Sequence, residues 1–153
     1  MSNSNNNIKI DTDALAGLKV LVVDDSKTIL RTAEALLSEY DCWVATAPDG
    51  FEALPKITAF KPDVIFIDIM MPRLDGYQTC ALIKANRAYK HIPVIMLSSK
   101  DSIFDLARGR LAGSDKYLTK PFTRQDLLSA IQTYVIDERN RHNQNHTPAT
   151  QEL

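Results

Sequence analysis

The sequence predicts an α/β protein: a doubly wound, five-stranded parallel sheet with five helices on its two faces. Three observations carry this. Short strand-like segments, the first a β-branched apolar run, recur five times, segments with apolar residues at helical spacing lie between them, and the two kinds of segment alternate. Continuous apolar runs read as strands buried on both faces. Strand–helix alternation builds a parallel sheet covered on both sides.

The first run, Lys19 to Val23 (KVLVV), predicts a central strand. Over 27–39, Ile29, Leu30, Ala33, Leu36 and Leu37 form one helical face. Cys42 to Thr46 predicts a second strand, and Asp49-Gly50 a turn before a helix carrying Phe51, Ala53, Leu54 and Ile57. Pro55 lies inside that helix, where it removes a hydrogen bond and is expected to kink or delay it. Val64 to Ile67 predicts the third strand, and Gly76 to Lys84 a helix with Tyr77, Cys80 and Ala81 inward and Leu82 and Ile83 as further candidates for that face. Val94 to Leu97 is the fourth strand. Ile103 to Leu111 is a helix ending before Gly113, a C-terminal cap. Lys116 to Leu118 is the fifth strand, and Thr123 caps a last helix carrying Leu127, Leu128, Ile131 and Val135.

These elements place a single domain at 17–137. Residues 1–16 are expected to form a flexible lead and 138–153 a flexible tail, because neither holds enough apolar surface to offset ordering. The 153 residues include 18 Lys and Arg against 19 Asp and Glu, a net charge of -1, which argues against a nucleic-acid binder or a basic membrane patch. The N-terminus lacks a signal-peptide pattern, and no apolar run is long enough to span a bilayer. Cys42 and Cys80, with no CxxC, read as buried thiols of a reducing compartment, so a cytoplasmic location is expected. His142 and His146 stand four apart in the polar tail and read as solvated rather than as metal ligands.

Ligands of open parallel sheets sit beyond the carboxyl ends of the strands, and polar residues gather there. The first strand ends in Asp24-Asp25, the third in Asp68 and the fourth in Ser98-Ser99, while Lys120-Pro121 follows the fifth. Clustered carboxylates repel unless a cation joins them, and their hard oxygens suit Mg²⁺. A carboxylate is also a phosphoryl acceptor. Lys120 and Ser98 add the ammonium and hydroxyl that incoming phosphoryl oxygens need. No piece is informative alone, since Asp-Asp pairs cap helices and Lys-Pro pairs fill loops. The information lies in four pieces at successive strand ends.

Together, Val22-Val23-Asp24-Asp25-Ser26, Asp68-Ile69-Met70-Met71-Pro72 with Asp75-Gly76, Leu97-Ser98-Ser99 and Lys120-Pro121-Phe122 resemble the response-regulator receiver (CheY-like) family over about residues 18–136. The resemblance implies a flavodoxin-like strand order of 2-1-3-4-5. It makes Asp68 the phosphoacceptor, and Asp25, Asp68 and the Met70 backbone carbonyl the Mg²⁺ ligands, with Asp24 acting through water. Lys120 would pair with the phosphoryl group, Ser98 would be the switch hydroxyl and Tyr117 the coupled aromatic. It also implies a cis Lys120-Pro121 peptide, which only an X-Pro bond makes accessible. Ser98 lacks the methyl of the more usual threonine, which is expected to loosen its coupling to Tyr117. By the same resemblance, Met70 and Lys100 would flank the site where the hydrolytic water attacks.

The implied function is that of a monomeric single-domain response regulator. It would take phosphoryl from a CheA-like histidine kinase and bind a downstream partner, a pilus-associated or motor protein. Binding would use the face of the fourth helix, fifth strand and fifth helix, with Tyr117 and Ile103 or Phe104 in contact. Ser26 to Ile29 with Arg31 to Glu34, Asp68 to Lys84, Val94 to Lys100, Gly113 to Asp115 and Tyr117 to Phe122 further resemble single-domain receivers of type IV pilus twitching motility. A flagellar-chemotaxis regulator and a phosphorylation-independent interaction module are the alternatives. A haloacid-dehalogenase-type phosphatase would need Asp-x-Asp on one loop, but position 70 is Met. An attached DNA-binding output has no room after residue 137 of this sequence.

Overall fold

A computed structural model describes residues 8–99 and 103–146, with the side chains of 103–105 and His146 outside the description. Five strands, β1 (Lys19–Val23), β2 (Trp43–Ala47), β3 (Val64–Asp68), β4 (Val94–Ser98) and β5 (Lys116–Thr119), form one sheet in the order β2-β1-β3-β4-β5. Every pairing is parallel. Seven α-helices accompany them: α1 (Thr12–Leu15), α2 (Lys27–Ser38), α3 (Gly50–Phe60), α4 (Gly76–Ala85), α5 (Ile103–Ala112), α6 (Arg124–Ile131) and α7 (Asp137–His146), with a π-helical segment, Gln132–Ile136, joining the last two.

Strand residues alternate between two cores. Val20, Val22, Phe66, Ile95 and Leu97 pack with Ala33 and Leu37 of α2 and Leu127 and Ile131 of α6. Leu21, Val23, Ile65, Ile67 and Met96 pack with Ala53 and Ile57 of α3 and Cys80 and Ile83 of α4. Period-two side-chain direction thus splits each strand between the two faces, which is what doubly wound means at residue level. Thr123 caps α6 as expected, and Ser26, Asp49 and Asp75 likewise each accept a backbone N–H of the first turn of their helices, with Asp75 and Thr123 completing capping boxes.

Three expectations are corrected. The first is the flexible lead: Leu15 is fully buried in the core and Ile10 and Ala14 pack beside it, while residues 1–7 lie outside the described residues. Asp11 caps α1 through the Ala14 N–H, and its own N–H donates to buried Gln132 at 2.8 Å. Four helical residues give too little periodicity to be read, yet one deeply buried leucine is enough to seat the segment. Leu15→Ala is expected to lower stability by about 2–3 kcal/mol, as for other buried Leu truncations, measured by urea unfolding.

The second is the tail. Helicity continues from α6 through the π segment into α7, so the described part, 138–146, is helical: Gln132 donates to Asp137 at 2.7 Å, and Arg139 of α7 pairs with Asp63 at 2.6 Å, while 147–153 lie outside the described residues. The extension is therefore anchored by polar contacts that an apolar pattern cannot reveal. The third is α3, which begins at Gly50 and runs unbroken past Pro55. Pro55 lies on the exposed side, where water can serve the carbonyl it leaves without a helical partner. Among the described residues the helices therefore gain α1 and the extension of α6 into α7 beyond the five expected.

Cys42 and Cys80 are buried, and burial is the main reason both thiols are pushed up to about 11. Since the thiolate is the reactive form, iodoacetamide at pH 8 is expected to leave both unmodified in the folded protein and to label both in urea, read by intact mass. No helix among the described residues is long and apolar enough to cross a membrane.

Candidate functional site

Parallel register brings the strand-end residues to one edge. Asp24 follows β1, its N–H donating to Ala47 at the end of β2. Asp68 is the last residue of β3 and lies opposite Leu97 of β4. Ser98 closes β4 opposite Thr119 of β5, and the Lys120 N–H donates to the Ser98 carbonyl at 2.6 Å. The Lys120-Pro121 peptide is cis.

The carboxylates of Asp24, Asp25 and Asp68 each offer an oxygen within 4.8 Å of the others. Asp24 is fully buried and Asp68 nearly so, whereas Asp25 faces solvent. The Lys120 ammonium lies between the buried pair, 2.7 Å from Asp24 Oδ2 and 3.1 Å from Asp68 Oδ1. Asp24 Oδ1 accepts the Ser26 N–H at 2.9 Å. Burial, then the neighbouring Asp24 charge, push the Asp68 carboxyl up to about 6, against the opposing pull of Lys120 and the Met70 backbone N–H. Burial opposes the Lys120 charge, but Asp24 and Asp68 together outweigh it and hold the ammonium above its usual range.

This set fits a small hard cation. Asp24 Oδ2 is buried and receives no hydrogen bond of acceptable direction, despite the nearby ammonium. Three oxygen donors, two of them buried and one facing water, match the few-ligand, partly hydrated shell that Mg²⁺ prefers. Repulsion between Asp24 and Asp68 would be relieved by a divalent ion.

Ser98 is buried, and Tyr117 is half-buried on β5, packed against the same core as Met96. Tyr117 also lines a groove of about 220 Å³ with Leu106, Arg110, Lys116 and Tyr134, between α5 and β5. Met70 is 64% exposed immediately after Ile69 and Asp68. The side chains of Ile103 and Phe104, and Lys100 as a whole, lie outside the described residues.

Two features were not read from the sequence. Gly76 opens α4 so close to the acceptor that a Cβ there would stand 2.4 Å from the Asp68 carbonyl, so glycine is required by proximity. A second ion pair, Arg73 to Asp49 at 2.8 Å, joins the loop after Asp68 to the start of α3. In the sequence Asp75-Gly76 reads as part of the family motif and as the start of a helix, without the close approach to Asp68, and nothing in the spacing of 49 and 73 signals contact.

The model of the response regulator receiver domain matches residues 20–132. Among curated proteins, the chain is 66% identical over 119 residues to PilG of Pseudomonas aeruginosa, covering 78% of this chain and 88% of that protein. It spans about half the length of several longer relatives, which carry further sequence beyond the matched region. Among solved structures, the chemotaxis protein CheY4 of Vibrio cholerae superposes with a TM-score of 0.75 at 34% identity, covering 78% of this chain and 100% of that one. The receiver domain of a P. aeruginosa sensor histidine kinase, solved with a magnesium ion coordinated in its active-site cleft, gives 0.72 at 30% identity, covering 78% and 98%. Strand order, strand-end chemistry and these matches agree: the chain belongs to the response-regulator receiver family.

Proposed function

We propose that this receiver accepts a phosphoryl group on Asp68 from a CheA-like histidine kinase and signals by phosphorylation-dependent protein binding, in control of type IV pilus twitching motility. The observation that carries the chemistry is the cluster of Asp24, Asp25 and Asp68 within 4.8 Å, with the Lys120 ammonium touching both buried members. The motility role rests on the resemblance of the quoted segments and on the 66% identity to PilG.

An Asp68 oxygen attacks the phosphorus of the kinase phosphohistidine. The P–N bond breaks, and the imidazole leaves and takes a proton from solvent. Asp25, Asp68 and the Met70 carbonyl would hold Mg²⁺, with Asp24 acting through water. When bound, Mg²⁺ offsets charge on the transferring oxygens. Lys120 moves from its carboxylate partners to a phosphoryl oxygen, and the Ser98 hydroxyl donates to another. Water later attacks phosphorus, and inorganic phosphate departs, restoring the carboxylate. The acyl phosphate leaves a charge of about -1.5 to -2 at the strand ends. Movement of Ser98 toward it frees space for Tyr117 to turn inward, which reshapes the α5-β5-α6 face for the next partner. Exposed Met70 stands where that water must approach and sets the lifetime of the phosphorylated state.

The functional unit is 17–137, to which residues 10–16, seated by buried Leu15, and the solvent-exposed helical extension from 138 are added, acting as a monomer in the cytoplasm. The test is transfer of radiolabelled phosphate from an autophosphorylated CheA-like kinase, followed by pull-down of pilus-associated proteins with and without the label. Fast transfer and label-dependent capture are expected. Equal capture by the native protein and an Asp68→Asn variant would overturn the signalling reading.

A further inference from the structure

We propose that Arg73 is a positioning residue for the phosphorylation site: its side chain clasps the β3–α4 loop to the start of α3 and so fixes the Met70 backbone beside Asp68. This rests on the reading of Asp68 as phosphoacceptor and adds a residue to it.

Arg73 has φ 69, in the left-handed region that favours glycine. The Leu74 N–H donates to the Pro72 carbonyl at 2.8 Å, so Arg73 is the centre of a three-residue turn of the strained positive-φ kind. A side chain at such a position needs a reason, and this one has two. Its guanidinium donates to Asp49 Oδ2 at 2.8 Å, and it lies over the Phe51 ring, 5.3 Å from the centroid.

Asp49 is a firm anchor. It is buried, and its other oxygen caps α3 through the Glu52 N–H at 2.9 Å. Gly50 beside it leaves so little room that a Cβ would stand 2.9 Å from the Leu74 side chain and 2.2 Å from the Thr79 hydroxyl. The loop is thus pressed on the helix start on one side and clasped by Arg73 on the other. Its N-terminal end is set by buried Ile69 and Met71, and the Gly76 N–H closes it by donating to the Ile69 carbonyl at 3.0 Å. Between these anchors lies exposed Met70, whose N–H points at the Asp68 carboxylate. Release of the clasp frees the turn at 72–74, and with it the short run from Asp68 through Met70. Contacts that hold metal ligands in place tune a site's affinity, and Arg73 acts one step further out, through the backbone of the loop that carries Met70.

The test compares native protein with Arg73→Gly, which keeps the backbone conformation accessible, and Arg73→Lys, which keeps the charge. Hydrogen exchange of 69–76 is followed in metal-free buffer, and Mg²⁺ alone is titrated by calorimetry. Arg73→Gly is expected to speed exchange at 69–76 selectively and to weaken Mg²⁺ binding by about tenfold. Arg73→Lys is expected to recover part of both. An Arg73→Gly protein within about twofold of native in both measurements overturns the clasp. Exchange that rises uniformly across the chain does the same, since that is general destabilisation. Failure of the native protein itself to bind Mg²⁺ or to be phosphorylated would overturn the phosphoacceptor reading of Asp68 and this inference together. An indifferent Arg73→Gly in an otherwise competent protein overturns this inference alone.

Discussion

Lys120→Met is expected to destabilise the metal-free protein by about 3 kcal/mol at pH 8, roughly 10 °C in Tm. The substitution leaves buried Asp24 and Asp68 facing each other without the ammonium that contacts both at 2.7 and 3.1 Å. Removing one partner of a buried ion pair is far more harmful than replacing the whole group, because the remaining charge stays desolvated. The sign with pH follows from the two carboxylates. At pH 5 Asp68, pushed up to about 6, holds its proton in much of the population, so the penalty shrinks. The stabilisation that Lys120 itself supplies is fully present below its ordinary value of 10.5 and is lost only as pH rises beyond it. Thermal melts of both proteins at pH 5 and pH 8 in chelator are the measurement. Added Mg²⁺ should return part of the loss.

Asp68→Asn is expected to do the opposite to stability while abolishing function. Asp68 binds its proton more tightly folded than unfolded, since its value rises from 3.8 to about 6. It therefore stabilises the fold below 3.8, and that contribution is lost as pH rises through about 6, up to about 3 kcal/mol. The amide carries no charge, so the variant escapes the loss and Lys120 keeps Asp24 as its partner. In chelator at pH 7–8 the variant should melt a few degrees above native, with the gap closing toward pH 4. Saturating Mg²⁺ should narrow the gap from the other side by stabilising the native protein more. A variant less stable than native at pH 8 would mean that burial and the Asp24 charge do not raise Asp68 as its position implies.

The two substitutions separate what the sequence could and could not tell. Asp24, Asp68, Ser98 and Lys120 were legible because a parallel sheet sends every strand end to the same edge. Once the alternation of elements was read, their meeting followed without any knowledge of loop paths. The buried faces were legible for the same reason, as alternation along Val20 to Val23 and Val64 to Ile67 dictates which core each residue joins. Features that depend on irregular backbone were not. Leu15 is held by a four-residue helix with no usable period. The C-terminal extension runs through a π segment and is fastened by Gln132 and Arg139, polar groups that composition alone assigns to solvent. The Arg73–Asp49 pair depends on a positive-φ turn whose direction no spacing rule supplies. Asp24 and Asp25 are neighbours of identical type, and only the structure separates a fully buried residue paired with Lys120 from one facing water.

The central claim is that Asp68 is the residue that carries the phosphoryl group. Intact-mass measurement after incubation with acetyl phosphate and Mg²⁺, on native protein and Asp68→Asn side by side, tests it most directly. The account predicts one added phosphoryl group on the native chain, lost with chelator present and absent from the variant. An unmodified native chain, or the same mass gain on Asp68→Asn, would contradict it.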